Sequence, residues 1–141
     1  MLRRLVVGLF ISLLALGCSA NKPVVAEEID ENTPTIEAKA YKLVSFGRTR
    51  MAVPKKGKIL LKDGEYAGNA GCNGMGGKYD IDLKKQTIKF HPGFSTMMAC
   101  PEMKLETKFR KYLNAVDNYE IDKDMMMLKV GDTAVLNFRH Q

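Results

Sequence analysis

The stretch PEMKLETKFRKYLNAVDNYEIDKDMMMLKVGDTAVLNF, residues 101–138, changes its apolar period midway, and that change decides the fold class. Leu105, Phe109, Tyr112, Leu113 and Val116 recur at spacings of four, three, one and three, which puts them on one face of a helix over 101–116. Pro101 suits the first helical turn, where its missing N–H is not needed, and Glu102 stands near the positive end. On this reading Glu106 and Arg110 form an i,i+4 pair on the wet side, worth only about 0.2–0.5 kcal/mol. Past Val116 the period falls to two. Tyr119 and Ile121, then Met126, Leu128 and Val130, then Ala134, Leu136 and Phe138 alternate with other residues, so three strands follow the helix, with Gly131-Asp132 as the last turn.

Upstream of the helix the chain reads as short strands over 41–46, 58–61, 65–68, 78–83 and 87–90, with Ile88 and Phe90 on one face. Asp63-Gly64 joins two of these runs, and Asp-Gly there signals a type I′ hairpin, which needs positive φ at both central positions. Five strands, one helix and three more strands give an α+β domain. The expected architecture is a small, strongly curled antiparallel sheet or barrel of about eight strands, with the helix inserted before the last three, since closure removes exposed sheet edges. Residues 40–141 are enough for one domain with a single modest core.

The amino end has a different character. Met1-Leu2-Arg3-Arg4 leads into the apolar or small run 5–16 and then Gly17-Cys18, the order of a targeting segment with a small-residue cleavage site. A helix over 5–16 would span about 18 Å, short of the roughly 30 Å hydrocarbon core. Leu14-Ala15-Leu16-Gly17-Cys18 resembles the lipobox of bacterial lipoproteins. That resemblance implies a signal peptide over 1–17, cleavage after Gly17, a diacylated Cys18 thiol and an acylated new amino end, with fatty chains such as palmitate. Ser19, and not Asp, follows Cys18; by the sorting rules of Gram-negative lipoproteins this implies the periplasmic face of the outer membrane. Several acyl chains make such an anchor stable, at about 0.8 kcal/mol per buried CH₂.

Residues 18–39 read as a lipidated acidic tether without helical or strand period, containing Pro23 and Pro34. The whole chain carries +6, of which Arg3 and Arg4 supply two; Glu27, Glu28, Asp30, Glu31 and Glu37 against Lys22 and Lys39 then leave +7 on residues 40–141. A basic domain on an acidic tether suits an anionic surface such as lipid headgroups or cell-wall polymer, although scattered lysines are also what a solvated surface needs. No basic-aromatic nucleic-acid motif is visible, and no nucleic-acid partner is expected.

Cys72 and Cys100 are a disulfide candidate in an exported protein; closing a loop of about 29 residues is worth roughly 3–4 kcal/mol in the chain-entropy model. No C-x-x-C spacing exists, and neither His91 nor His140 completes a metal-ligand set. The glycine-rich run 68–77 is not a phosphate loop, because Lys78 is followed by Tyr79 and not by Ser or Thr. Its glycines and asparagines read instead as suppliers of positive φ at a tight strand-to-strand bend.

These same residues carry a family resemblance. Gly71-Cys72-Asn73, Gly77-x-Tyr79, Ser95-Thr96-Met97-Met98-Ala99-Cys100 and Glu106-x-x-Phe109-x-x-x-Leu113-x-x-Val116-x-x-Tyr119 resemble the META/HslJ-like domain across residues 40–138. Tyr41 stands where the first strand of that family often has Trp, and Met97 where a basic residue is common. The resemblance implies a small barrel-like α+β fold, frequent attachment to the envelope as a lipoprotein, association of some members with heat shock, and kinship in shape with secretin-piloting lipoproteins. Its motif positions here are Gly71, Asn73, Tyr79, Thr96, Met98, Ala99, Glu106 and Phe109, with the Cys72–Cys100 pair. It implies no enzymatic activity.

The side-chain inventory points the same way. Ser45 and Ser95 have only His91 and His140 as imidazole partners and lack a nucleophile-elbow pattern, so no catalytic residue is assigned. Met97-Met98, Met103 and Met125-Met126-Met127 could serve as thioether ligands for Cu(I), but alternate residues of a strand face opposite ways, which makes Met126 a core residue and packing the better reading. No metal or cofactor is expected. The expected function is that of a non-enzymatic envelope lipoprotein supporting envelope integrity or stress tolerance by binding protein or lipid; the alternatives are a carrier of a small hydrophobic ligand and a pilotin-like secretion assembly factor. Cys18→Ala should abolish incorporation of radiolabelled palmitate and leave unacylated precursor or soluble protein; acyl label persisting on the variant refutes the anchor.

Overall fold

The computed structural model describes residues 35–36, 38–49, 51–101 and 103–141; the expected signal peptide, Cys18 and the expected tether up to Pro34 lie outside the described residues, as do Glu37, Arg50 and Glu102. In chain order the elements are β1 (Lys39–Ser45), β2 (Lys58–Lys62), β3 (Glu65–Asn69), β4 (Gly74–Asp82), β5 (Thr87–Phe90), β6 (Phe94–Ser95), α1 (Met103–Ala115), β7 (Asn118–Asp122), β8 (Met125–Val130) and β9 (Thr133–His140).

Alternation turns one side of each strand inward. Tyr41 and Leu43 of β1, Ile59 and Leu61 of β2, Ile88 and Phe90 of β5, and Leu136 and Phe138 of β9 are all buried, with exposed or half-buried residues between them. The strands pair in the order β3-β2-β1-β9-β8-β7-β5-β4-β6, and β3 also pairs with β4, so eight strands close into a ring and β6 is added outside on β4. All strand pairings are antiparallel. The expected α+β barrel with its helix before the last three strands is therefore the fold observed.

The ring is not equally tight all round. Between β5 and β7 the register holds one pair, Thr87 with Asn118, flanked by backbone bonds from Ile88 N–H to Asp117 O (3.2 Å) and Tyr119 N–H to Gln86 O (3.0 Å). The helix packs against β5 and β9. Its Phe109 meets Phe138 edge-on at 6.1 Å between ring centroids, and Tyr112 lies against Phe46 at 6.4 Å. Phe109, Leu113 and the following Val116 are buried, so the interior is filled by side chains from helix and strands together. Ile36, upstream of β1, is fully buried in the same core. Met126 is a core residue, while Met125 and Met127 are half-buried on the other side of β8.

Turn chemistry follows the sequence at Asp63-Gly64, where φ is 51° and 74°. At the glycine-rich run it follows only in part. Residues 70–73 make the expected bend from β3 into β4, with Gly71 at φ 138°, but the glycines of 74–77 do not; they lie in β4, outside the positive region. Their small size serves close approach instead. A Cβ on Gly76 would lie 2.8 Å from two ring carbons of Phe94, and one on Gly93 would strike the Gly76 carbonyl oxygen. The strand crossing that seats β6 on β4 is thus made by the absence of side chains.

Overpacking that crossing should be costly. Gly93→Ala is expected to lower unfolding stability by about 1–3 kcal/mol. Gly74→Ala, whose added Cβ meets nothing within 4 Å, should change it far less. Urea unfolding of the two variants tests this, and equal effects would mean that the crossing tolerates a side chain.

Candidate functional site

Asn73, at the entry to β4, and Glu106, in the first turn of α1, are 1% and 2% exposed and face each other. The Asn73 backbone N–H donates to Glu106 Oε2 at 3.0 Å, and Asn73 Nδ2 donates to Oε1 at 3.0 Å and Oε2 at 3.2 Å. Glu106 therefore does not pair with Arg110 on the wet side. Its position three before Phe109 and seven before Leu113 puts it on the buried stripe of the helix, and the Asn73 amides meet the hydrogen-bonding need that burial creates. A carboxyl group in the first turn also sits at the favourable end of the helix dipole.

Asn73 reaches a third element. Its Oδ1 accepts from Met98 N–H at 2.7 Å and from Thr96 Oγ1 at 2.9 Å, while Nδ2 donates to Met98 O at 3.2 Å. Thr96 Oγ1 accepts from Gly74 N–H at 3.1 Å, and Thr96 N–H donates to Gly74 O at 3.0 Å. Upstream, Asn69 Oδ1 accepts from Gly71 N–H at 2.7 Å and Asn69 Nδ2 donates to Cys72 O at 3.2 Å, which shapes the approach to Asn73. The Cys72–Cys100 disulfide, with Cα atoms 6.1 Å apart, clamps the same two segments. One amide side chain thus uses its oxygen and its nitrogen to hold three pieces of chain in register.

The consequence is a fixed loop with an apolar exterior. Phe94 is 70% exposed, Met97 98%, Met98 54% and Met103 41%; with Leu60 and Val130 these complete the exposed large apolar side chains among the described residues. Phe94 and Ser95 share a small depression with Tyr66, Arg110 and Asn114, so the helix flanks this edge. A wider, shallow depression of about 620 Å³ on the outer sheet face runs from Phe94 across Gly77 and Ala67 to Leu60, with Lys62, Lys78, Asp63 and Glu65 beside it. Burial pushes the Tyr66 hydroxyl pKa up, against an opposing pull from Arg110, and the hydroxyl donates to His91 O at 3.3 Å. At the far side of the sheet Tyr41 is pushed up to about 12 by burial, with Tyr119 adding to the shift.

Not every motif residue converges here. Gly71, Cys72, Asn73, Thr96, Met98, Cys100 and Glu106 form one connected frame. Phe109 belongs to the core beside Phe138. Tyr79 is buried in an aromatic group with Phe90, which also meets Tyr66 edge-on. Ala99 is exposed on the loop. Ser45 Oγ donates to Gly47 O and Ser95 Oγ to Thr96 O, whereas His91 Nε2 pairs with Asp80 at 2.7 Å and the His140 ring packs against Tyr41, so these serines and histidines are engaged separately. The hydrogen-bonding role of Asn69, which the sequence suggested only as a supplier of positive φ, and the exposure of Phe94 went unread, the first because an Asx turn beside glycine looks like any polar loop.

A closed antiparallel barrel, covered by one helix and carrying a disulfide-clamped loop, is the class of protein defined by this geometry. The META domain family model matches residues 34–141, and the chain belongs to that family. Two solved structures share the fold. A protein from Burkholderia xenovorans, solved by NMR, is 20% identical with a TM-score of 0.64, over 74% of this chain and 83% of that one. A DUF4847 family protein from Bacteroides vulgatus, solved by crystallography, is 19% identical with a TM-score of 0.55, over 74% and 93%. No curated protein matches the chain.

The Asn73–Glu106 contact can be tested by its non-additivity. Asn73→Ala and Glu106→Leu should each destabilise the domain by about 2–4 kcal/mol, because each strands buried partners, and the double variant should lose clearly less than the sum. Strict additivity in denaturant melts would show that the two side chains act independently.

Proposed function

We propose that this META domain is the working part of a lipid-anchored envelope protein that binds protein or lipid partners without catalysis, and so supports envelope integrity under stress. The observation that carries the reading is the stretch from β6 to the start of α1, where Phe94, Met97, Met98 and Met103 stand exposed beside a frame fixed by a disulfide and a buried hydrogen-bond network. Exposed apolar groups this close in sequence serve contact, and a rigid mount lowers the ordering cost of making it. The engagement of Ser45, Ser95, His91 and His140 in separate local contacts supports the non-catalytic reading. Attachment through Cys18 rests on the lipobox resemblance at 14–18. The carrier alternative draws no support from the barrel interior, whose inward positions hold Phe109, Leu128, Leu136 and Phe138 at full burial.

Complementation tests this reading. A strain lacking the chain should show raised envelope permeability after heat or detergent stress, reversed by the wild-type chain. It should not be reversed by a Phe94→Ser, Met97→Ser, Met98→Ser variant whose unfolding midpoint is preserved. Full rescue by that variant removes the loop from the function, and an envelope unaffected by the deletion removes the envelope role.

A further inference from the structure

With Glu106 turned inward, no described acidic side chain of α1 faces solvent. Its outer positions carry Lys104, Arg110 and Lys111, which are exposed, and Lys108, whose Nζ lies over the Tyr112 ring at 5.4 Å. None of Lys104, Arg110 and Lys111 belongs to an ion pair among the described residues. Arg110 lines the same depression as Phe94, and Met103 and Arg110, seven apart, share one stripe of the helix. Residues 94–101 contain no charge at all. The uncharged stretch 94–101, with Phe94, Met97 and Met98 in the open, is therefore followed, beyond Glu102, by a helix whose described outer charges are all cationic.

We propose that this edge docks on an anionic phospholipid surface, with Phe94, Met97 and Met98 entering the boundary between headgroups and acyl chains and Lys104, Arg110 and Lys111 lying at headgroup level. The inference rests on the binding role proposed above and names its partner. The division of labour is that of an interfacial amphipathic surface: apolar side chains on one flank, cations beside them. Charge complementarity selects anionic over zwitterionic lipid, and thioether side chains adapt to a fluid boundary better than to a fixed pocket. The loop needs no ordering on contact, because Asn73 holds Met98 by its N–H and its carbonyl and the disulfide holds Cys100.

Methionine oxidation reads the contact directly. The full-length chain is placed on vesicles of zwitterionic phospholipid with or without anionic phospholipid, exposed to hydrogen peroxide, and each methionine is followed by peptide mass spectrometry. Met97 and Met98 should oxidise about tenfold more slowly on the anionic vesicles only, a protection lost at high salt. Met127, half-buried on β8, serves as the internal reference and should not change. Each cation at an anionic surface contributes about fivefold, so Lys104→Gln, Arg110→Gln, Lys111→Gln together should weaken docking on the order of 100-fold and abolish the protection without unfolding the domain. Equal oxidation on both vesicle types overturns the proposal. So does protection that appears only when solubilised envelope protein is added, which would make the occupant a protein. Either outcome, with complementation by the wild-type chain intact, rejects the lipid surface while leaving the binding role standing.

Discussion

The contact between Asn73 and Glu106 is the constraint on which the rest of this barrel depends. Each side chain is buried, and neither has enough local partners to be buried alone. Docking α1 on the sheet brings the Glu106 carboxyl group to the Asn73 amides, and the remaining capacity of Asn73 is then spent on Thr96 and Met98. The position of the helix and the path of the loop are consequently one structural decision. A buried polar network of this kind is stable only when every member is satisfied, which is also what makes it specify a single arrangement.

The disulfide joins the same segments but acts differently. Cys72–Cys100 closes a loop across 28 positions and restricts the unfolded chain, whereas the hydrogen bonds of Asn73 define the folded geometry beside it. Their adjacency makes the loop over 96–100 a rigid part of the domain despite its lack of regular secondary structure. The sheet contributes from the other side. Gly76 and Gly93 let β6 lie close on β4, and β6 delivers Phe94 to the edge of the helix.

Much of this was legible in the sequence, and what was missed has a physical cause. Alternation in 87–90 and 134–138 and the helical spacing of Leu105, Phe109, Leu113 and Val116 track burial of apolar side chains, which dominates the energetics. The helix begins at Met103, later than Pro101 suggested, because Pro101 precedes the first helical turn. Periodicity of apolar residues is blind to a buried carboxyl group, so Glu106 read as a surface residue although its spacing to Phe109 and Leu113 already placed it inside. The glycine run was read only in part, the bend at 70–73 but not the close approach at Gly76, because glycine marks both and only the partner across the gap, here Phe94 and Gly93, separates the two. The family resemblance located the frame residues together but could not say that Tyr79 and Phe109 serve the core while Asn73 and Glu106 serve the loop.

Turning one acid inward has an effect beyond stability. A helix carrying Lys104, Lys108, Arg110 and Lys111 with Glu106 on its surface would present mixed charge; with Glu106 consumed by Asn73, the surface is cationic throughout its described length. The interaction that fixes the apolar loop is therefore the same one that leaves the described outer charges of the neighbouring helix cationic. Scaffold and exposed apolar loop are coupled through one carboxyl group, so the features most diagnostic of the fold lie beneath the surface, whereas the side chains most open to solvent, Phe94 and Met97, lie outside the hydrogen-bonded frame.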